Sequence, residues 1–572
     1  MANEEMISGS EMLMRILQRE GVEYVFGYPG GSIMPVYDAL YRHQGDIPHI
    51  LTRHEQGAIH AAEGYARVSG KPGVVFSTSG PGATNLVTGM ADALADSTPL
   101  VIITGQVDTE HLGFDAFQET DVVGMSLPVT KWSYQIRKAE DVAWAVARAF
   151  YVASTGRPGP VVLDFTHTAQ CAKAVWDYHP CTRLRSYAPV PEIQSKPLAE
   201  AAVLLNSSRK PLILAGHGVA LAKAEKQLAE VAEKIDAPVG LTLLGLSALP
   251  SSHPLCLGMA GMHGNIPVNI ATNQADVILA VGMRFDNRVT GATEHYARQA
   301  KIIHIDIDET EFNKSIPADV AIHADAREAL DKLLPLLRRN EHADWRAELK
   351  PHAEAEERLV IQPETAERED CIHMGAVVSR VSAAFGDDAI VVTDVGLNQM
   401  MSARYSRFTQ PDSIVTSGGL GTMGFGLPAA IGAKLARPDR EVVLFLGDGG
   451  FQMTMQELGT IMEHNLDIKI VLLNNNFLGN VRQMQAMFCE RRFSATPLAN
   501  PDFMKIASAY GIASEDVERP EQLDDAIARM AAHKGAFLLN VNIDEENMVF
   551  PITRGGDPVD TIYVNLTDRY QG

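Results

Sequence analysis

One unit recurs along the whole chain: a short, almost wholly apolar run rich in β-branched residues, then a glycine-bearing turn, then a stretch with helical periodicity. VEYVFGYPGG (22–31), GVVFSTSGPGATN (73–85), PLVIITGQ (99–106) and PVVLDF (160–165) open the series. A strand that is apolar on both faces has to be covered on both faces. Such runs alternating with helices therefore indicate parallel sheets with helices on either side. The fold class is α/β, built as doubly wound parallel-sheet domains. At roughly 150 residues per domain, 572 residues make three or four of them.

Two stretches interrupt the pattern. Residues 176–197 lack periodicity and read as a linker. Residues 340–370 are strongly charged and read as a solvated helix plus connector. The expected organisation is a first domain over 1–180, a central domain over 190–345, a third over 370–550 and a C-terminal tail over 551–572. The central block has its own strand–turn–helix units, KPLILAGHGVALAKA (210–224) and ADVILAVGMRFDNR (275–288). The third block repeats the style of the first, with DDAIVVTDVG (387–396), REVVLFLGDGG (440–450) and LDIKIVLLNNN (466–476). Two similar outer blocks around a different centre suggest two related nucleotide-binding-like halves that share a ligand.

Charge narrows the partners. The formal net charge is −22, so the average field repels nucleic-acid phosphates and anionic lipid, and neither is expected as a partner. An anionic ligand needs a metal ion, a helix terminus or a few placed arginines. Five scattered cysteines without C-x-x-C spacing argue against a disulfide framework or a structural zinc site and fit a reducing compartment. The acidic opening, MANEEMISGSEMLMRILQREG, reads as an amphipathic helix rather than a signal peptide. No run approaches the ~18 apolar residues of a membrane span. A cytoplasmic location without membrane attachment is the expectation.

Chemistry concentrates in the third block. Gly447-Asp448-Gly449 ends one apolar strand, and after residues 450–473 Asn474-Asn475 ends the next. The spacer carries Met455, Leu458, Ile461 and Met462 on one helical face. This is a βαβ unit, whose parallel strands bring Asp448 and Asn475 out together at their carboxyl ends, where open α/β sheets bind ligands. A carboxylate and an amide oxygen suit magnesium carrying phosphate oxygens, and the glycines let backbone approach a diphosphate. An Asp-Gly turn alone is ordinary turn chemistry; the pairing with Asn-Asn at this distance is the fingerprint of thiamine diphosphate enzymes. In the first block Glu55, within RHEQGA (53–58), starts a helix of small residues. Alone it reads as a favourable charge at a helix N-terminus.

The ordered series YPGGSIMPVYDAL, RHEQGA, STSGPGATNLVTG, DAFQE, GRPGPV, GMRFDNRVTG, TSGGLGTMGFGLPAAIGA and GDG…NN closely resembles the large subunits of the acetohydroxyacid synthase family. The likeness runs from about residue 7 to 545. It implies a pyrimidine-binding, a central FAD-binding and a diphosphate-binding domain. It also implies thiamine diphosphate, Mg2+ and a structural FAD as cofactors, 2-oxoacids as substrates and an obligate homo-oligomer whose site lies between two chains. A small regulatory subunit is a further partner of such enzymes. By the same resemblance Glu55 bonds the cofactor's aminopyrimidine ring, and Asp448, Asn475 and the backbone carbonyl of Phe477 hold magnesium. Pro29, Asn85, Val395, Gly396, Gly421, Met423, Gly447, Gly449, Gly450, Leu478 and Gly479 line the thiamine diphosphate, with Met423 as the wedge that bends it. Gly30 and Gly31 bring bare backbone near the reacting carbon. Phe117, Gln118 and Met484 are pocket residues, and Arg288 anchors the carboxylate of the second oxoacid. FAD falls to Arg157, Gly216, Gly218, His263, Gly264, Arg284, Asp286, Asp306 and Asp325.

The activity implied is decarboxylation of pyruvate and transfer of its two-carbon remainder to pyruvate or 2-oxobutyrate, giving acetohydroxyacids for branched-chain amino acids. The chain departs from the family pattern in places. Met484 stands where a tryptophan is common, and Asn480 replaces an apolar residue. His167 stands where D-x-P-K-D has its lysine, and the P-M-V-P-P-G motif reads FPITRGGD (550–557). A carboligase with an aldehyde, ketone or ketosugar acceptor is the alternative, followed by a flavoenzyme of the pyruvate-oxidase type.

Overall fold

The computed structural model describes residues 5–43 and 45–571. It contains three six-stranded, wholly parallel sheets. The first is formed by β1 (Val25–Gly27), β2 (His49–Leu51), β3 (Gly73–Ser77), β4 (Leu100–Gln106), β5 (Trp132–Ile136) and β6 (Pro160–Thr166), in the order 2-1-3-4-6-5. The second comprises β7 (Pro211–Ala215), β8 (Val239–Leu241), β9 (Cys256–Met259), β10 (Val277–Val281), β11 (Lys301–Asp306) and β12 (Val320–His323), in the order 9-8-7-10-11-12. That is the 3-2-1-4-5-6 order of dinucleotide-binding sheets. The third has β13 (Ile390–Thr393), β14 (Ile414–Val415), β15 (Val442–Gly447), β16 (Lys469–Asn474), β17 (Ala513–Val517) and β18 (Phe537–Asn542), in the order 14-13-15-16-18-17. The outer sheets therefore share one strand order, and the centre differs, as the repeating style of the sequence predicts.

The central strands are buried end to end because both faces are covered. In β4 all seven residues are buried, and in β15 all but the terminal Gly447. The outer units meet through equivalent helices. Glu55–Ser69 follows β2, Gly426–Ala436 follows β14, and the two lie directly against each other. A Cβ on Gly64 would collide with the carbonyl of Ala429, and one on Gly432 with the carbonyl of Ala61. Each helix thus presents an Ala-x-x-Gly step to the other, and the contact is reciprocal about a local twofold. Buried Arg67 reinforces it: Nη1 donates to Thr416 O (2.5 Å) and Nη2 to Asp96 Oδ2 (2.5 Å). Asp96 in turn accepts from the amides of Gly418 (2.9 Å) and Gly419 (2.6 Å).

Three details differ from the sequence reading. The N-terminal amphipathic helix spans Gly9–Arg19, capped by Ser8 and preceded by a short strand, Met6–Ser8, paired with Lys173–Val175; residues 1–4 lie outside the described residues. The charged stretch after 340 is not merely solvated. Its helix Ala343–Glu356 buries Trp345 and Leu349 against the middle sheet, because an i, i+4 apolar pair suffices to seat a helix whose other faces are charged. Met462 is 48% exposed while Leu458 and Ile461 are buried: its helix, Leu458–His464, ends at the left-handed Asn465 and buries only its inner side. The tail crosses the middle unit, with Ile552–Thr553 pairing with Ile562–Tyr563 and Thr553 N donating to Met262 O (2.7 Å).

Candidate cofactor and active site

In the third sheet the strand order reverses between β13 and β15, and the loops leaving those strands form a crevice. β15 and β16 pair in parallel with Gly447 opposite Leu473, so Asp448 and Asn474-Asn475 leave the sheet at neighbouring tips. Asp448 is buried, and burial pushes its carboxyl above the ordinary range, a penalty that a bound cation removes. Asn500, on a following loop, ties the tips together: its Nδ2 donates to Asp448 Oδ2 (2.7 Å), Asn474 Oδ1 (2.9 Å) and Asn476 Oδ1 (3.1 Å). Asn476 has φ +57°, and that left-handed step turns the chain so that Phe477 N donates to Asn475 Oδ1 (3.2 Å). A buried carboxylate on one strand tip, with an amide and a main-chain carbonyl on the next, forms an all-oxygen set that fits magnesium.

A Cβ on Gly449 would stand 2.7 Å from Leu478 and 3.6 Å from the methyl of Met423. A Cβ on Gly421 would stand 3.9 Å from Val395, and one on Gly396 3.8 Å from the Cβ of Asn480. Gly479 is wedged between Leu397 and Asn475, and Gly450 against Asp394. Gly396 (φ +116°) and Gly421 (φ +73°) take backbone conformations that side chains disfavour. Buried Asp394, which the sequence reading passed over, organises this wall. It accepts from the amides of Val395 (2.8 Å), Gly424 (3.0 Å) and Gly426 (3.0 Å), and so fastens the GLGTMGFG loop to the tip of β13.

In the first unit Glu55 opens the helix behind β2 and is buried; its Oε2 accepts from Asn85 Nδ2 (2.9 Å). Two predicted residues 30 positions apart are thereby joined. Gly82 packs beside Glu55, and Gly30 abuts Thr78, while Gly31 has open space where a side chain would be; Pro29 is exposed. Gln118 backs onto Gly80 at φ +60°, and Phe117 is 88% exposed, so the chain alone does not draw that ring into a pocket. A second residue missed in the sequence is Glu457. It is fully buried in the third unit yet accepts from Arg53 N with both oxygens (3.0 and 3.1 Å) and from Thr460 Oγ1 (2.8 Å). It holds the turn immediately before Glu55 from across the unit boundary.

The middle sheet reverses order between β7 and β10. There Gly216 and Gly218 lie against Gly282, each too close to admit a side chain. Asp306, at the tip of β11, is pushed up to about 6 by burial. His263 is pushed down to about 3 by burial beside Arg404 and Arg288, and its Nδ1 is buried without a hydrogen bond. Gly264 lends its carbonyl to Arg404 (3.1 Å). A bare-glycine crevice, a strand-tip acid and a free ring nitrogen fit a dinucleotide such as FAD. Other predicted ligands have partners of their own. Arg157 pairs with Glu311 (2.8 Å) and Asp308 (3.2 Å), and Arg284 with Asp286 (3.4 Å). Asp325 caps the helix Ala326–Leu333, and Asp286 the turn Asn287–Thr290. Arg288 is exposed, with Nη1 3.6 Å from the sulfur of Met262, beside the crossing tail. Half-buried Met484 lies on the helix Gly479–Phe488.

Three family models match this chain: the thiamine pyrophosphate enzyme N-terminal TPP binding domain over residues 7–125, the central domain over 198–333 and the C-terminal TPP binding domain over 394–541. The acetolactate synthase isozyme 2 large subunit of Escherichia coli is 44% identical, over 96% of this chain and 98% of its own. The acetolactate synthase large subunit of Lactococcus lactis is 43% identical, over 97% and 95%. The probable acetolactate synthase large subunit of Methanocaldococcus jannaschii is 41% identical, over 96% and 94%.

Proposed function

The chain belongs to the acetolactate synthase large-subunit family of thiamine pyrophosphate enzymes, and we propose that it condenses pyruvate with a second 2-oxoacid to give acetolactate or its homologue. The observation that carries this is the pairing of Asp448 and Asn475 at adjacent strand tips, together with a buried Glu55 oriented by Asn85. Bound thiamine diphosphate supplies a carbon nucleophile for the pyruvate carbonyl and an electron sink for the loss of CO2.

The protein's part is to hold and orient. Asp448, Asn475 and the carbonyl of Phe477 take magnesium, and the bare backbone of Gly449 admits the diphosphate. Met423 would support the bound cofactor. Glu55 holds a hydrogen bond on the aminopyrimidine from a buried, fixed position, which a solvated carboxylate does not maintain. Arg288 takes the acceptor carboxylate in a two-pronged grip. Gly216, Gly218, His263 and Asp306 would hold FAD as a structural group. Phe117 and Arg288 stand in solvent on a single chain, and we read them as completing a site shared with a second copy. Relatives named as large subunits support a small regulatory subunit as partner. Among the described residues no helix is long and apolar enough to cross a membrane.

The test is direct. Enzyme loaded with thiamine diphosphate, Mg2+ and FAD is given pyruvate alone, then pyruvate plus 2-oxobutyrate. Acetolactate is the expected product, joined by acetohydroxybutyrate in the mixture. Acetoin or CO2 without acetolactate, or bleaching of the flavin under anaerobic turnover, rejects the proposal.

A further inference from the structure

The connector before the third sheet carries a side-chain cluster that the carboligase reading does not use. Cys371, His373 and Asp544 each place a donor atom within 4.8 Å of the other two. Two segments far apart in sequence bring them together, locked where Asp544 N donates to Ile372 O (3.0 Å). Asp544 uses Oδ1 to accept from Glu546 N (3.0 Å), and its Oδ2 lies 3.9 Å from His373 Nε2. His373 and Asp544 line a cavity of about 450 Å3, together with Glu364 and Arg368.

The orientation of the imidazole is the informative part. Its Nδ1 is buried, without a hydrogen bond, 3.5 Å from Oε2 of Glu364. Glu364 is itself fixed by Asn547 Nδ2 (3.0 and 3.1 Å) and by the amide of Gly375 (3.1 Å). Glu364 stands behind Nδ1 at ion-pair distance rather than in a hydrogen bond, and a metal on Nε2 would draw the two into the carboxylate–imidazole pairing that holds metal-ligating histidines. A cation already faces that nitrogen: Arg368 Nη1 is 3.4 Å from Nε2.

We propose that Cys371, His373 and Asp544 bind a thiophilic divalent cation of the zinc class, with Glu364 as a positioning residue and Arg368 as the competitor that the metal displaces. One sulfur, one nitrogen and one carboxylate oxygen match zinc chemistry and leave a fourth position open to the cavity. Binding forms a metal–sulfur bond and releases the thiol proton to solvent. The cation would clamp the connector to the chain leaving β18, whose Ile543 N donates to Asn474 O (2.8 Å) next to Asn475. It would also stiffen Glu545–Glu546, which Arg482 of the helix Gly479–Phe488 holds.

The experiment titrates Co2+ into the Mg2+-loaded holoenzyme and follows the thiolate-to-cobalt charge-transfer band in the near ultraviolet, with Zn2+ as competitor. We expect a saturable band that Zn2+ abolishes. Cys371→Ser should remove it. Cys171→Ser should leave it unchanged, although Cys171 lies 3.8 Å from His167. Glu364→Gln should weaken binding by about 10- to 100-fold through the histidine. Arg368→Ala should tighten binding, an effect that general damage to the fold does not produce. No band at millimolar Co2+, a band that survives Cys371→Ser, or weaker binding in Arg368→Ala overturns the proposal. None of these readouts depends on carboligase activity.

Discussion

Replacing Gly432 by alanine sets two opposed effects against each other, and the structure decides the sign. Gly432 lies inside a helix and has no left-handed φ, so propensity alone favours alanine by about 1 kcal/mol. The added methyl, however, would overlap the carbonyl of Ala61 and crowd the amide of Tyr65 (2.5 Å) on the facing helix. These are main-chain atoms of a packed helix and cannot swing aside. Overpacking of a core costs about 1–3 kcal/mol, and two backbones forced apart put this case at the upper end. The expected net effect is destabilisation by about 2 kcal/mol. Gly64→Ala should behave alike, since its methyl meets the carbonyl of Ala429. Once one methyl has separated the helices, the second has less to displace. The double variant should therefore fall short of additivity by more than about 0.5 kcal/mol.

Urea unfolding, read as midpoints of the transition that releases the outer units from each other, measures this. A three-unit chain need not unfold in a single step. If either single variant is as stable as the parent, or gains the 1 kcal/mol or so that propensity offers, the helices are not in backbone contact and the local twofold between the outer units is wrong.

Glu55→Gln keeps the hydrogen bond from Asn85 but loses the ionised carboxyl. Turnover should drop by about 10²–10⁴-fold while thiamine diphosphate affinity, followed by tryptophan fluorescence, changes little; near-parental turnover would refute its role. Burial pushes Glu457 up to about 7. A raised folded-state value means that its contribution to stability is present below about 4.5 and is lost as pH rises through about 7. Glu457→Gln should flatten that part of the stability–pH curve, and an unchanged curve would show that the carboxyl does not titrate there. Met484→Trp should narrow the pocket and raise the share of acetohydroxybutyrate formed from mixed pyruvate and 2-oxobutyrate; a constant product ratio would place Met484 away from the acceptor.

What the sequence reveals and conceals follows from how local each signal is. Doubly buried strands announce themselves by unbroken apolar runs, and Asp448 and Asn475 by ending two of them. Asp394 offers the same sign, an acid closing VVTDVG, but it works by gathering amides of Gly424 and Gly426, which no local pattern displays. Glu457 is less legible still. It sits in a polar-apolar stretch like any other, and its partner Arg53 is 404 positions away. Trp345 and Leu349 show the reverse case: an i, i+4 apolar pair in plain view, hidden by the charged residues around it. Phe117 and Arg288 are found by motif alone, because on one chain nothing encloses them.

If Met484 borders the acceptor, the helix Gly479–Phe488 lets acceptor choice vary while the cofactor site stays fixed. Its inner side is bound down: Gln483 pairs with both the carbonyl and the amide of Val549 (3.0 Å each), and Arg482 donates to Glu545 O (2.6 Å). Asn480 and Met484 fall four apart, on another face of the same helix. Asn480 lies near Gly396 of the cofactor wall, and its Oδ1 is buried without a protein partner. A face displayed by an independently anchored helix can change residue without disturbing Asp448, Asn475 or the Asp394 loop. Asn480 and Met484, two of the positions at which this chain departs from the family pattern, both lie on that face, and their effect should fall on what enters the pocket rather than on how the cofactor is held.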